Sequence, residues 1–208
     1  QIDVATGRSL RTVTVEGDTD AVRLRPPQGE TFAVYTAQGG DIRIYDLKGT
    51  KCQYTFHGAV RPPAWSPDGK LLAVPHRDGI QIWNCESWDD LKLLRTLPGN
   101  KLSSLALIFA PHGDPMTLFS YDSDGKMRLW DVPSGQQRGA IVLLENGGWV
   151  AATAEGDYRA SDGSDDGPTP LFRFQTMDEK KATHDYNPKD FIKKFRSNDP
   201  DKPLKALK

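Results

Sequence analysis

One unit occurs three times along the chain: a glycine-bearing turn, a short alternating strand, and an aromatic followed by an acid or amide. It reads Gly40-Asp41-Ile42-Arg43-Ile44-Tyr45-Asp46, then Asp78-Gly79-Ile80-Gln81-Ile82-Trp83-Asn84, then Asp124-Gly125-Lys126-Met127-Arg128-Leu129-Trp130-Asp131. The aromatics stand 38 and 47 residues apart, spacings that bracket the roughly 40 to 45 residues needed by four short antiparallel strands and their turns. Alternation with a period of two suits a strand, whose successive side chains point to opposite faces.

Each unit has the same antecedents. A second apolar strand is predicted at Thr31-Phe32-Ala33-Val34-Tyr35, Leu71-Leu72-Ala73-Val74 and Met116-Thr117-Leu118-Phe119-Ser120. Turn residues precede them: Pro27-Gln28-Gly29, Ser66-Pro67-Asp68-Gly69 and Pro111-His112-Gly113. Before these, Ala21-Val22-Arg23-Leu24, Pro63-Ala64-Trp65 and Leu105-Ala106-Leu107-Ile108-Phe109 are expected to be the innermost strands. With 19 glycines and 15 prolines in 208 residues, the chain has the turn supply of an all-β fold.

On these residues the chain resembles the WD40 repeat family. Leu129-Trp130-Asp131 matches the name-giving dipeptide and Ser66-Pro67-Asp68-Gly69 its usual first turn. The resemblance implies WD40-type β-propeller blades: about three blades plus partial terminal blades in an incomplete ring, with a short C-terminal helix. It also implies that Asp124 is the family's buried turn aspartate, which normally bonds the histidine of a Gly-His pair. The chain has no Gly-His, and His57-Gly58 has the reverse order. Tyr45, Trp83, Asp124, Trp130, Asp131 and Trp149 are the expected structural residues.

The propeller portion is expected over residues 1–175, with repeats at about 15–56, 57–98 and 99–145. Residues 1–14, including Leu10-Arg11-Thr12-Val13 as an outer strand, are taken as the remnant of a preceding blade. Residues 146–175 resemble the closing segment of WD40 arrays in large multidomain proteins, through Gly147-Gly148-Trp149-Val150, Glu155-Gly156-Asp157-Tyr158 and a strand at Leu171-Phe172-Arg173-Phe174. Residues 176–208 form a charged tail with a helix near 188–196, capped by Asn187 and Pro188 and striped by Phe191, Ile192 and Phe195. An open array exposes strand edges, so the chain is expected to be the C-terminal part of a longer protein.

Composition narrows the partners. The 27 basic and 28 acidic residues give a formal charge of −1, so no global field draws the chain to nucleic acid or an anionic membrane. The basic face of Lys189, Lys193, Lys194 and Arg196 lacks interleaved exposed aromatics, which argues against nucleic-acid binding. No apolar run is long enough to span a bilayer, and a cytoplasmic location is expected. Cys52 and Cys85 show no metal-binding spacing and read as reduced core thiols.

Catalytic signatures are weak. His57, His76, His112 and His184 are scattered, with no paired nucleophile. Asp162-Gly163-Ser164-Asp165-Asp166-Gly167 begins like a calcium loop, but its twelfth position is Arg173 where a bidentate carboxylate is required. The expectation is therefore a non-catalytic protein–protein interaction platform from a signalling, sensor or scaffold protein, with no enzyme activity, catalytic residue, cofactor or metal. Its partner would be a protein, a peptide or another domain of the same parent chain. Trp88, in a lengthened turn, and His76, Arg77, Tyr121 and Asp122, in turns between second and third strands, are the candidate contacts. The alternative is a hydrolase or metal-binding propeller that gathers Asp122, Asp124, Asp162 and Asp166 at the channel mouth.

Overall fold

The computed structural model describes residues 8, 12–15, 17–27, 29–48, 52–98, 104–111, 116–144, 147–153, 158–161, 174–177 and 183–186. The chain divides into two units, Gln1–Met116 and Thr117–Lys208. Among the described residues every regular element is a strand.

The first unit holds two sheets of four antiparallel strands. One has the order β1 (Ala21–Leu24), β2 (Thr31–Thr36), β3 (Asp41–Asp46), β4 (Cys52–Phe56); the other runs β5 (Ala64–Trp65), β6 (Leu71–His76), β7 (Gly79–Asn84), β8 (Lys92–Leu97). A further strand, β9 (Ser104–Phe109), lies against β5. The second unit continues with β10 (Thr117–Asp122), β11 (Lys126–Asp131), β12 (Gln137–Leu143), β13 (Trp149–Thr153) and β14 (Tyr158–Ala160), each hydrogen-bonded to the next. Strands β15 (Phe174–Met177) and β16 (Thr183–Tyr186) form a separate antiparallel pair.

The central strands of the first unit are buried on both faces, which a sheet requires when it is packed between neighbours. Alternate residues of β2 serve different clusters. Ala33 and Tyr35 join Ile42, Ile44 and Phe56 against Trp65, Leu72, Val74 and Cys85 of the second sheet, while Phe32 and Val34 join Tyr45 on the opposite side. Fully buried aliphatics such as Ile42, Leu72 and Ile82 each stabilise the fold by about 1.5–3 kcal/mol.

The three aromatics share one device. A register shift falls between Ile44 and Tyr45, between Ile82 and Trp83, and between Leu129 and Trp130. In each case the outer strand carries an extra residue, Gln53, Leu94 or Arg138, opposite the shift. Such a bulge bends the outer strand at the aromatic. The residue that follows each aromatic turns the chain: Asp46 accepts from the Lys48 amide at 2.7 Å, Asn84 from Glu86 at 2.9 Å and Asp131 from Ser134 at 3.0 Å. This is the physical reason for an acid or amide at that position.

Some expectations need correction. Thr12 and Val13, expected in an outer strand, lie outside any strand, although Val13 and Val15 pack on the Phe32, Val34 and Tyr45 cluster. The strand expected at residues 171–174 is described only from Phe174, and it runs on to Met177 in a hairpin with β16. That hairpin extends into the segment expected to be a tail, and its second strand ends at Tyr186. The helix expected near 188–196 lies outside the described residues.

Candidate functional site

The turns between second and third strands are short, so what they present depends on how their ends are held. In the first sheet the Asp20 carboxylate accepts from the Ala37 amide at 2.6 Å. His57 Nδ1 lies 2.8 Å from Asp41 Oδ1, and the Ala59 amide donates to the Gly40 carbonyl at 2.7 Å. The reversed His57-Gly58 pair thus still brings a histidine to an aspartate, here the first residue of β3.

The second turn carries His76, Arg77 and Asp78. His76 Nδ1 accepts from the Asp78 amide at 3.3 Å. Its Nε2 side stands so close to Gly58 that a Cβ there would meet it at 2.9 Å. Arg77 is exposed; the His76 side chain is only 22% exposed.

The third turn is built differently. Asp122 is buried at 1% exposure and is held by a short contact from Arg128 Nη1. The same guanidinium bonds both oxygens of Asp124, at 3.1 Å and 2.6 Å. Hydrogen bonding to Arg128 lowers the Asp124 carboxyl from 3.8 to about 2, as a charge-assisted fork does. Beneath it, Trp130 Nε1 donates to Ser120 Oγ at 3.0 Å in a fully buried bond. Tyr121 lies between these groups in sequence, and its side chain is 42% exposed.

The candidate contacts therefore separate. Arg77 and Tyr121 face solvent and His76 is half-buried, whereas Asp122, expected at the surface, is buried because Arg128 neutralises it inside the fold. Trp88, expected to be partly exposed on the rim, is half-buried: its ring lies 6.2 Å from that of Trp65, and the Arg25 guanidinium stacks 5.6 Å from the Trp65 ring and 5.5 Å from the Trp88 ring. Arg25 Nε also donates to the Gly69 carbonyl at 2.8 Å. Trp88 lies in the connection from β7 to β8, at the end of β7 opposite His76, Arg77 and Asp78.

The residues expected to be structural make the following contacts. Tyr45 stacks on Phe32 at 5.5 Å, Trp83 meets Phe56 edge-on at 5.2 Å, and the Trp149 amide donates to Ser161 Oγ at 3.0 Å. Asp131 is held by Ser134 and by Arg138 Nη2 at 2.6 Å. Both cysteines are free thiols, and burial pushes Cys85 up to about 12. Among the described residues no three metal-ligating side chains cluster; Asp162 and Asp166 lie outside them. Arg128 and Arg25 were not anticipated. The one signal for Arg128 was a cation four residues after Asp124 in a strand otherwise destined for burial.

Repeated four-stranded antiparallel sheets with equivalent bulges, aromatics and Asx turns define a β-propeller repeat protein. The solved structure titled U3-55K matches 86% of this chain and 54% of its own at a TM-score of 0.51 and 18% identity, a likeness of fold. No protein-family profile matches the chain. Human DDB1- and CUL4-associated factor 4 is 30% identical over 98 residues, 44% of this chain and 19% of the relative. WD repeat-containing protein 3 of mouse is 24% identical over 171 residues, 77% of this chain and 17% of the relative. Nuclear distribution protein nudF 1 of Talaromyces marneffei is 32% identical over 123 residues, 55% of this chain and 26% of the relative. The chain has the fold of WD40-type propeller blades and is similar to these curated relatives, of which it spans about a quarter or less.

Proposed function

We propose that the chain is a non-catalytic platform that binds a protein or peptide, as part of a larger cytoplasmic signalling, sensor or scaffold protein. Neither nucleic acid nor membrane is its target, and another domain of the same parent chain is a candidate partner. The observation that carries this reading is the exposure of Arg77, on the turn between β6 and β7, and of Tyr121, near the end of β10 beside the turn to β11. A side chain on a rigid turn is ordered at little further entropic cost when a partner binds. The metal-dependent alternative is disfavoured because Asp122 and Asp124 already share a guanidinium, a cation in the place a divalent ion would need.

The test is proximity labelling in cells with the full chain and with Arg77→Glu/Tyr121→Ala. Both sites are exposed, so folding stability should change by less than about 0.5 kcal/mol per substitution. Specific protein neighbours are expected with the parent and are lost with the variant. An unchanged set of neighbours sinks the assignment of these turns.

A further inference from the structure

The outer strand of the second blade differs from its sister in a way that packing does not explain. Among the described residues β8 is the last strand of its sheet. Two adjacent leucines on it, Leu93 and Leu94, are 45% and 48% exposed. The bulges align them with their counterparts: Leu93 stands where the other blades have Cys52 and Gln137, and Leu94 where they have Gln53 and Arg138. In the third blade Arg138 bonds Asp131 and Thr117, so its position has internal work. A leucine side chain can make no hydrogen bond of that kind. Leu93 is registered opposite Trp83, whose ring packs on Phe56, so the apolar surface continues inward from the edge.

Charge decides among occupants. Lys92 and Arg95 bracket the leucines. A second copy added antiparallel about this pair would set Lys92 against Arg95, a like-charge juxtaposition that destabilises strand pairing. A segment carrying carboxylates meets both cations favourably. Lys92 is paired with Asp90 at 2.8 Å, but both side chains are more than half exposed, and such a pair is exchanged at little cost. Arg95 has no ion-pair partner among the described residues.

We propose that the β8 edge docks a short extended segment of a partner protein, with two adjacent bulky apolar residues flanked by aspartate or glutamate. This rests on the platform reading and adds the β8 edge, with a partner chemistry for it, to the contacts named there.

The test is selection of displayed random twelve-residue peptides on the full chain, with affinities then measured by fluorescence polarisation. Enriched peptides carry an apolar pair flanked by acids. Leu93→Gln/Leu94→Gln, which imports residue types found at the sister positions, weakens them at least tenfold, as does Lys92→Glu/Arg95→Glu. Arg77→Glu/Tyr121→Ala leaves them unchanged. Thermal melts of the variants confirm that the fold is retained. Peptides that ignore the leucine pair but respond to Arg77 and Tyr121 overturn this inference and leave the platform reading standing. No enrichment, or binding that depends on neither surface, overturns both.

Discussion

The turn between β2 and β3 and the turn between β10 and β11 solve one problem with unlike chemistry. In the first, an imidazole that is 78% exposed reaches Asp41, whose own side chain is 17% exposed. In the other, a guanidinium 11% exposed grips one aspartate at 1% and another at 16%. A contact whose one partner stands in water contributes little, because solvent competes for that partner. A buried one is costly to form and costlier to leave half made. The fold thus needs only that the turn be closed, while the stability stored there depends on depth.

The sharpest way to break this contrast is to cut each pair once. Arg128→Ala takes the guanidinium away from the buried Asp122 and is expected to cost about 3–5 kcal/mol. His57→Ala is expected to cost less than about 1 kcal/mol. Urea denaturation of the two variants measures both, and equal losses would show that depth does not matter.

A smaller effect separates the aromatics that mark the repeat. Trp130 donates to Ser120, which is 0% exposed, while Trp83 donates at 3.1 Å to the half-buried Gln81. Phenylalanine at either position removes the indole donor, but only Ser120 is then stranded away from water. Trp130→Phe should cost about 1–3 kcal/mol, and Trp83→Phe about 1 kcal/mol less. The reverse ranking in thermal unfolding would place the key packing of the repeat elsewhere.

The strands were legible because alternation and turn residues are local: Ala21–Leu24 lies where expected, and each third strand starts within two residues of its expected position. The bulges were not, since an extra residue on an outer strand is defined only by its register with a partner. The burial of Asp122 and the packing around Trp88 were not legible for a related reason. The Arg128 guanidinium that buries one is on the next strand, and the Arg25 side chain that fixes the other comes from a different sheet. A charge in an alternating strand reads as solvent-facing until an acid is found beneath it. Fold followed from pattern, whereas the fate of each candidate contact depended on pairings that no local window contains.

Acid offers the finest distinction between the two turns. Arg128 holds the Asp124 carboxyl at about 2 against an ordinary 3.8. A folded-state value below the unfolded one means that the charged form is favoured by folding. Its contribution is therefore complete above about pH 4 and is lost as pH falls towards 2. Asp124→Asn removes that dependence, so the stability gap between parent and variant should be constant from pH 7 to about pH 4 and should close below it. A gap that persists at pH 2 would mean that Asp124 stabilises the turn through shape and its Lys126 amide bond, with the charge on Arg128 serving Asp122 alone.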